Sequence, residues 1–194
     1  MIDYLTHYYS MDAAPFQSLS ALSDDAAIKI MQTLCDDTLY GERFKDPIQY
    51  LKSRKEAEQW VRAAFIAKGG RPKEVFPITM VLGSSKWLFE AAPDREKHTE
   101  ICIPLNRFTE FDISFTYPDS MVSHWFGRDK PANLYQADLH GIVFTLSEIL
   151  SLVEQKGMPE EDWALNLPSE IPPYIEAQVW NHELLNEVKK PLKS

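Results

Sequence analysis

Residues 46–68, DPIQYLKSRKEAEQWVRAAFIAK, decide how this chain folds. Asp46 is a helix N-cap residue with Pro47 at the first helical position, and Lys68 falls in the last turn. Gly69 supplies a left-handed cap, and Pro72 prevents the helix from resuming. At about 100° per residue, Leu51, Ala57, Trp60, Val61, Ala64 and Phe65 fill one broad apolar arc. Arg54 falls inside that arc, with Glu58 one turn later on the same side. A charge on a core-facing stripe must be paired or must act on something. Two readings follow. Arg54 clamps a carboxylate or phosphate, or it forms an internal ion pair with Glu58 or with an acid on a neighbouring sheet.

On the N-terminal side, residues 3–10 (DYLTHYYS) read as a first strand with Leu5, His7 and Tyr9 on one face. Ser23 then caps a helix whose first turn holds Asp24 and Asp25. Ala27, Ile28, Met31, Leu34 and Cys35 form its stripe, which places Cys35 in the core. Beyond Pro72 the pattern changes, and residues 77–83 (PITMVLG), 87–91, 99–105 (TEICIPL) and 111–117 (FDISFTY) read as strands. Residues 141–144 suggest a further short strand. A third helix follows, with Thr145 and Glu148 as a capping box, Leu146, Ile149, Leu150 and Val153 as stripe, and Gly157 as its end. Residues 174–180 (YIEAQVW) alternate as a strand, with Ile175, Ala177 and Val179 toward the core and Tyr174, Glu176, Gln178 and Trp180 on the other face, which reads as solvated unless Glu176 serves a site. The expectation is one α+β domain spanning residues 1–194, a mostly antiparallel sheet with about three helices packed on it.

Composition limits the partners. The 194 residues are 44% hydrophobic, enough for a sizeable core. A net charge of −9, from 29 acidic and 20 basic residues, repels phosphate backbones, so nucleic acid is not expected. Lys68, Arg71 and Lys73 form the one local basic patch, and Arg71 joins Arg54 as a candidate anion contact. No run reaches the roughly 18 apolar residues of a membrane span, and the first residues lack the pattern of a signal peptide. Two cysteines, Cys35 and Cys102, make no disulfide framework and suit a reducing, cytoplasmic compartment. No dinucleotide, P-loop, nucleophile-elbow or zincin motif is present, so neither a cofactor nor a metal is expected. His98, Glu100, Cys102, His124 and His140 lack metal-ligand spacing, and His98 reads as part of a solvated loop with Arg95, Glu96 and Lys97.

Residues 116–125 (TYPDSMVSHW) collect the densest chemistry. Asp119 and His124 are a candidate acid–base pair, with Ser120 or Ser123 as nucleophile. Pro-Asp-Ser after a strand is equally ordinary turn chemistry. At the two ends, His7 in HYYS and Glu176 in EAQ, with Tyr117 between them, resemble the ADP-ribosyltransferase-like fold. That resemblance implies that His7 and Tyr117 hold NAD and that Glu176 steadies the ribose cation as nicotinamide leaves. Separately, AKGGRP (67–72), MVLG (80–83) and TYPDS (116–120) resemble an uncharacterised bacterial domain family with no known activity.

The sequence names no reaction. Its five Trp and many other aromatics suit a pocket or a subunit interface. The expectation is a small-molecule or protein-binding module, with a small anionic ligand and a homo-oligomer as the partners to test. The alternative is an enzyme acting on a nucleotide (NAD-like) or another anionic substrate, with Arg54 as anion clamp.

Overall fold

The computed structural model describes residues 2–36, 41–91, 97–159, 168, 171–186 and 188. Five strands, β1 (Tyr4–Ser10), β2 (Ile78–Leu82), β3 (His98–Pro104), β4 (Ile113–Thr116) and β5 (Glu176–Val179), form one sheet. Their order is β3-β1-β2-β5-β4, and every pairing is antiparallel. The register sets Thr6 opposite Val81, Val81 opposite Glu176, and Glu176 opposite Thr116. Directly opposed residues point the same way, so this row crosses the sheet on one face.

The helices are α1 (Asp24–Leu34), α2 (Pro47–Ala67), α3 (Lys86–Ala91), α4 (Ser120–Asp129), α5 (Leu146–Lys156) and α6 (Glu183–Asn186). This corrects the expectation of an α+β fold led by its sheet with about three helices. Six α-helices occur among the described residues, and helix outweighs strand by 44% to 17%. The added helices are α3, α4 and α6. Residues 87–91 are helical instead of extended because Ser85 Oγ accepts the Leu88 N–H at 3.2 Å and starts a turn. Residues 120–125 likewise continue into α4, because the Asp119 carboxylate accepts the Val122 N–H at 2.8 Å. Residues 141–144 contribute a single bridge, Phe144 to Phe115.

The long helix α2 begins as its sequence requires, with the Asp46 carboxylate accepting the Gln49 N–H at 3.0 Å. Its buried positions are Leu51, Ala57, Glu58, Val61 and Phe65. Helix α1 packs Ala27 and Met31 against Leu51 and Phe44. Its last turn overshoots that contact, which corrects the placing of Cys35: the residue is exposed.

The sheet is covered on both sides. Leu5, Met80, Phe115, Ile175, Ala177 and Val179 form an apolar face closed by Ile149 of α5 and Leu185 of α6. Helix α2 packs Val61 and Phe65 against Trp180, which immediately follows β5. Glu176 and Gln178, read from sequence as a solvated row, are buried because β5 is an inner strand with helices on both sides. Helix α4 packs against α2 and is locked to the following loop by two glycines. A Cβ built on Gly127 would lie 2.6 Å from the Gly141 Cα, and one on Gly141 would lie 2.5 Å from the Gly127 Cα. Gly141 also has φ of 74°, a conformation that side chains disfavour. Among the described residues no helix is long and apolar enough to cross a membrane.

Candidate functional site

A cleft of about 270 Å³ opens where α2, the start of α4 and the inner strands meet. Arg54, His7, Asp119 and Glu176, from four separated segments, all border it. Arg43, Tyr50, Tyr174 and Ser120 complete its polar wall.

Arg54 is both paired and available. Its Nε–H is shared between Glu58 Oε1 at 2.9 Å and Ser20 Oγ at 3.2 Å. Its side chain retains 18% exposure, and Tyr50 is a further hydrogen-bond partner of the guanidinium. Burial works against its charge, but the carboxylates of Glu58 and Glu176, with Tyr50, outweigh that and hold the guanidinium firmly protonated. Glu58 is 1% exposed, and its Oε2 has no hydrogen-bond partner. The guanidinium is therefore tethered from below by a carboxylate that has nothing else to hold.

Glu176 ends a chain of buried hydrogen bonds along β4 and β5. The Trp180 Nε1–H donates to Ser114 Oγ at 2.9 Å, and Ser114 donates to Gln178 Oε1 at 2.9 Å. The Gln178 amide then donates to Thr116 Oγ1 at 2.9 Å and to Glu176 Oε1 at 3.1 Å. The Ser120 N–H, at the N-terminus of α4, reaches the same Oε1 at 3.4 Å. Among the described residues Oε2 makes no hydrogen bond, and Glu176 lines the cleft. Burial, then the charge of Asp119, push the Glu176 carboxyl up to about 7, against the pull of Gln178, Ser120 and Arg54. Burial raises the Tyr174 hydroxyl too, helped by Asp119 and Glu176 and opposed by Arg43.

His7 is held by the main chain. Its Nε2 accepts the Phe16 N–H at 3.0 Å, so Nδ1 carries the proton that faces the Thr79 carbonyl at 3.2 Å. Its ring packs on Phe16, with centroids 4.8 Å apart. Asp119 caps α4 and faces the cleft, but His124 does not join it. His124 stacks on Trp60 at 5.1 Å in a separate depression with Glu56 and Arg128. Burial, then Arg128, lower its pKa. Ser123 is buried, and its Oγ accepts the Gly141 N–H at 3.1 Å.

Tyr117 lies on the apolar side of the sheet, fully buried and stacked on His140 at 5.8 Å. Arg71 also lies outside the cleft, its guanidinium 4.5 Å from the centre of the Phe111 ring. Lys68 pairs with Glu148 at 2.6 Å and Lys73 with Glu183 at 2.7 Å, which divides the basic patch among acidic partners. His98 opens β3, while Arg95 and Glu96 of its expected loop lie outside the described residues. Among the described residues no group of three His, Cys, Asp or Glu could hold a metal ion.

The wall residues that sequence reasoning missed are Arg43, Tyr50 and Tyr174. Tyr50 had a signal: Tyr50, Arg54 and Glu58 recur every four residues, one polar line along α2. Arg43 sits in a short turn with no periodicity to read, and Tyr174 looks like an ordinary strand aromatic. Compared with models of known protein families, with curated proteins and with solved structures, the chain matches none.

Proposed function

We propose that this protein binds a small molecule through an anionic group, with Arg54 and Arg43 as the cationic contacts of the cleft. The observation that supports this reading is the meeting of Arg54 and Arg43, with Tyr50 and Ser120 beside them, at one concave site. A protonated Glu176 adds a hydrogen-bond donor to that wall. The test is a thermal melt in rising inorganic phosphate, acetate and NAD, with the Arg43→Ala variant alongside. A true ligand stabilises the fold by about 2.7 kcal/mol at a hundred times its Kd, so its melting temperature must climb with concentration. That climb should shrink in Arg43→Ala. Flat melting curves with all three probes would defeat the proposal.

A second reading is an enzyme acting on a nucleotide (NAD-like) or another anionic substrate. The observation favouring it is Glu176, whose carboxyl lines the cleft and titrates close to neutrality beside Asp119. The ADP-ribosyltransferase-like resemblance would give that carboxylate the task of steadying a ribose cation. Chromatography of NAD incubated with wild type and with Glu176→Gln tests it. Nicotinamide release by wild type alone supports the reading, and none from either protein removes it for this substrate.

A further inference from the structure

An apolar groove of about 360 Å³ adjoins the polar cleft. Ile30 and Leu34 of α1 face Leu88 and Phe89 of α3 across it, and Tyr9 of β1 borders it. Ile30, Leu34 and Phe89 are 38%, 37% and 43% exposed, so three large apolar side chains from two helices gather in one concavity and stay wet. Scattered apolar exposure needs no explanation, but three large apolar side chains lining one groove give a ligand a hydrophobic wall. The groove and the cleft share a wall made of His7, Tyr8, Gln17, Leu34 and Leu88. The groove by itself falls in the range that a drug-sized molecule fills, and the cleft extends it.

We infer that the ligand is amphipathic, with its anionic head at Arg54 and Arg43 and an alkyl or aryl tail in the groove between α1 and α3. This rests on the binding reading above and adds the class of molecule. Its physical basis is continuity: a head seated in the cleft can leave only across the shared wall or into solvent. The wall leads to Leu34, Leu88 and Phe89, where each buried methylene adds favourable transfer free energy. Covering these side chains also removes the exposed patch, which the head alone would leave in water.

The experiment is calorimetric titration of wild-type protein with n-alkyl phosphates from butyl to dodecyl, below their micelle concentrations. Matching alkyl carboxylates, neutral alkanols and inorganic phosphate are run in parallel. Affinity should rise about fourfold per added methylene until the groove is full, then level off. Phosphates and carboxylates should both show the rise, and the stronger series identifies the head. Ile30→Ser and Phe89→Ser alter exposed side chains that line the groove and not the cleft, so both should fold, lose the chain-length dependence and keep the head affinity. Butyl and dodecyl phosphate binding equally, with inorganic phosphate still bound, would overturn the tail site while leaving the anion reading intact. Dodecanol binding as tightly as dodecyl phosphate, unaffected by Arg43→Ala, would overturn the anion reading and this inference with it. If Ile30→Ser and Phe89→Ser instead change only the sedimentation of the free protein, the groove is a contact between copies of the chain and the inference falls.

Discussion

On one face of the sheet, Ile113, Phe115, Ile175, Ala177 and Val179 are fully buried among apolar neighbours. On the other, Ser114, Thr116 and Gln178 are buried just as completely, yet each must find a hydrogen-bond partner. The apolar face is satisfied by shape alone. The polar face is satisfied in sequence, Trp180 to Ser114 to Gln178 to Glu176, and its last member has one oxygen to spare. A chain of donors that ends in a carboxylate lining the cleft is fixed in orientation before any ligand arrives. The same contrast governs protons. Burial pushes Glu176 up to about 7 on the polar side and pushes His140, beside Tyr117, down to about 4. One cause acts with opposite sign on an acid and a base.

The largest expected effect tests the apolar side. Phe115→Ala should cost about 4 kcal/mol in urea unfolding, because a fully buried ring leaves a cavity among rigid neighbours. A loss below about 1 kcal/mol would mean that this face is loosely packed.

Next comes Arg54→Ala, which strands Glu58 as a buried carboxylate with no partner. The expected loss is about 3 kcal/mol. The double variant Arg54→Met, Glu58→Leu should recover most of it, because the two charges leave together. If the double variant is no better than the single one, the pair is not the reason Arg54 stabilises the fold.

The proton contrast gives a smaller effect per pH unit. Glu176 holds its proton more tightly in the fold, about 7 against an ordinary 4.5, so its contribution is full at low pH and is lost as pH rises across that interval. His140 behaves in reverse: its contribution is full above 6.5 and is lost as pH falls toward about 4. Comparing wild type with Glu176→Gln cancels the histidine. Wild-type stability should therefore fall relative to the variant as pH rises from 4.5 to 7, by at most about 1.4 kcal/mol per pH unit. Parallel stability profiles would show that burial does not perturb Glu176.

The smallest effect lies outside both faces. Lys68→Ala, which removes the half-exposed pair with Glu148, should change stability by no more than about 0.5 kcal/mol. A larger loss would give the edge of α5 a weight that only the two faces are expected to carry.

The sequence was legible wherever one face of an element differs chemically from the other. Helix α2 announces its cap, its Pro47 and its stripe, and α5 announces the Thr145–Glu148 capping box that the structure contains. The Arg54–Glu58 pair was readable from spacing alone. Helix α4 was hidden because two of its three buried residues are Ser120 and Ser123, which look like turn residues in a string of letters. Helices α3 and α6 are too short to establish a period. The polar row of β5 read as solvated because burial of Glu176 and Gln178 depends on which strands flank β5, and that is a property of topology. For the site, Arg54, Asp119 and Glu176 were visible as unusual residues, while the separation of Tyr117 and His124 from them follows from strand parity and helix phase.

The contact between Gly127 and Gly141 carries a consequence for ancestry. Neither position can gain a side chain unless the backbone of the other moves, so no single-step replacement is neutral at either one. In a deep mutational library both columns should be empty of every residue but glycine. Distant relatives that have lost all other likeness should still carry the two glycines, a spaced signature by which the lineage can be traced.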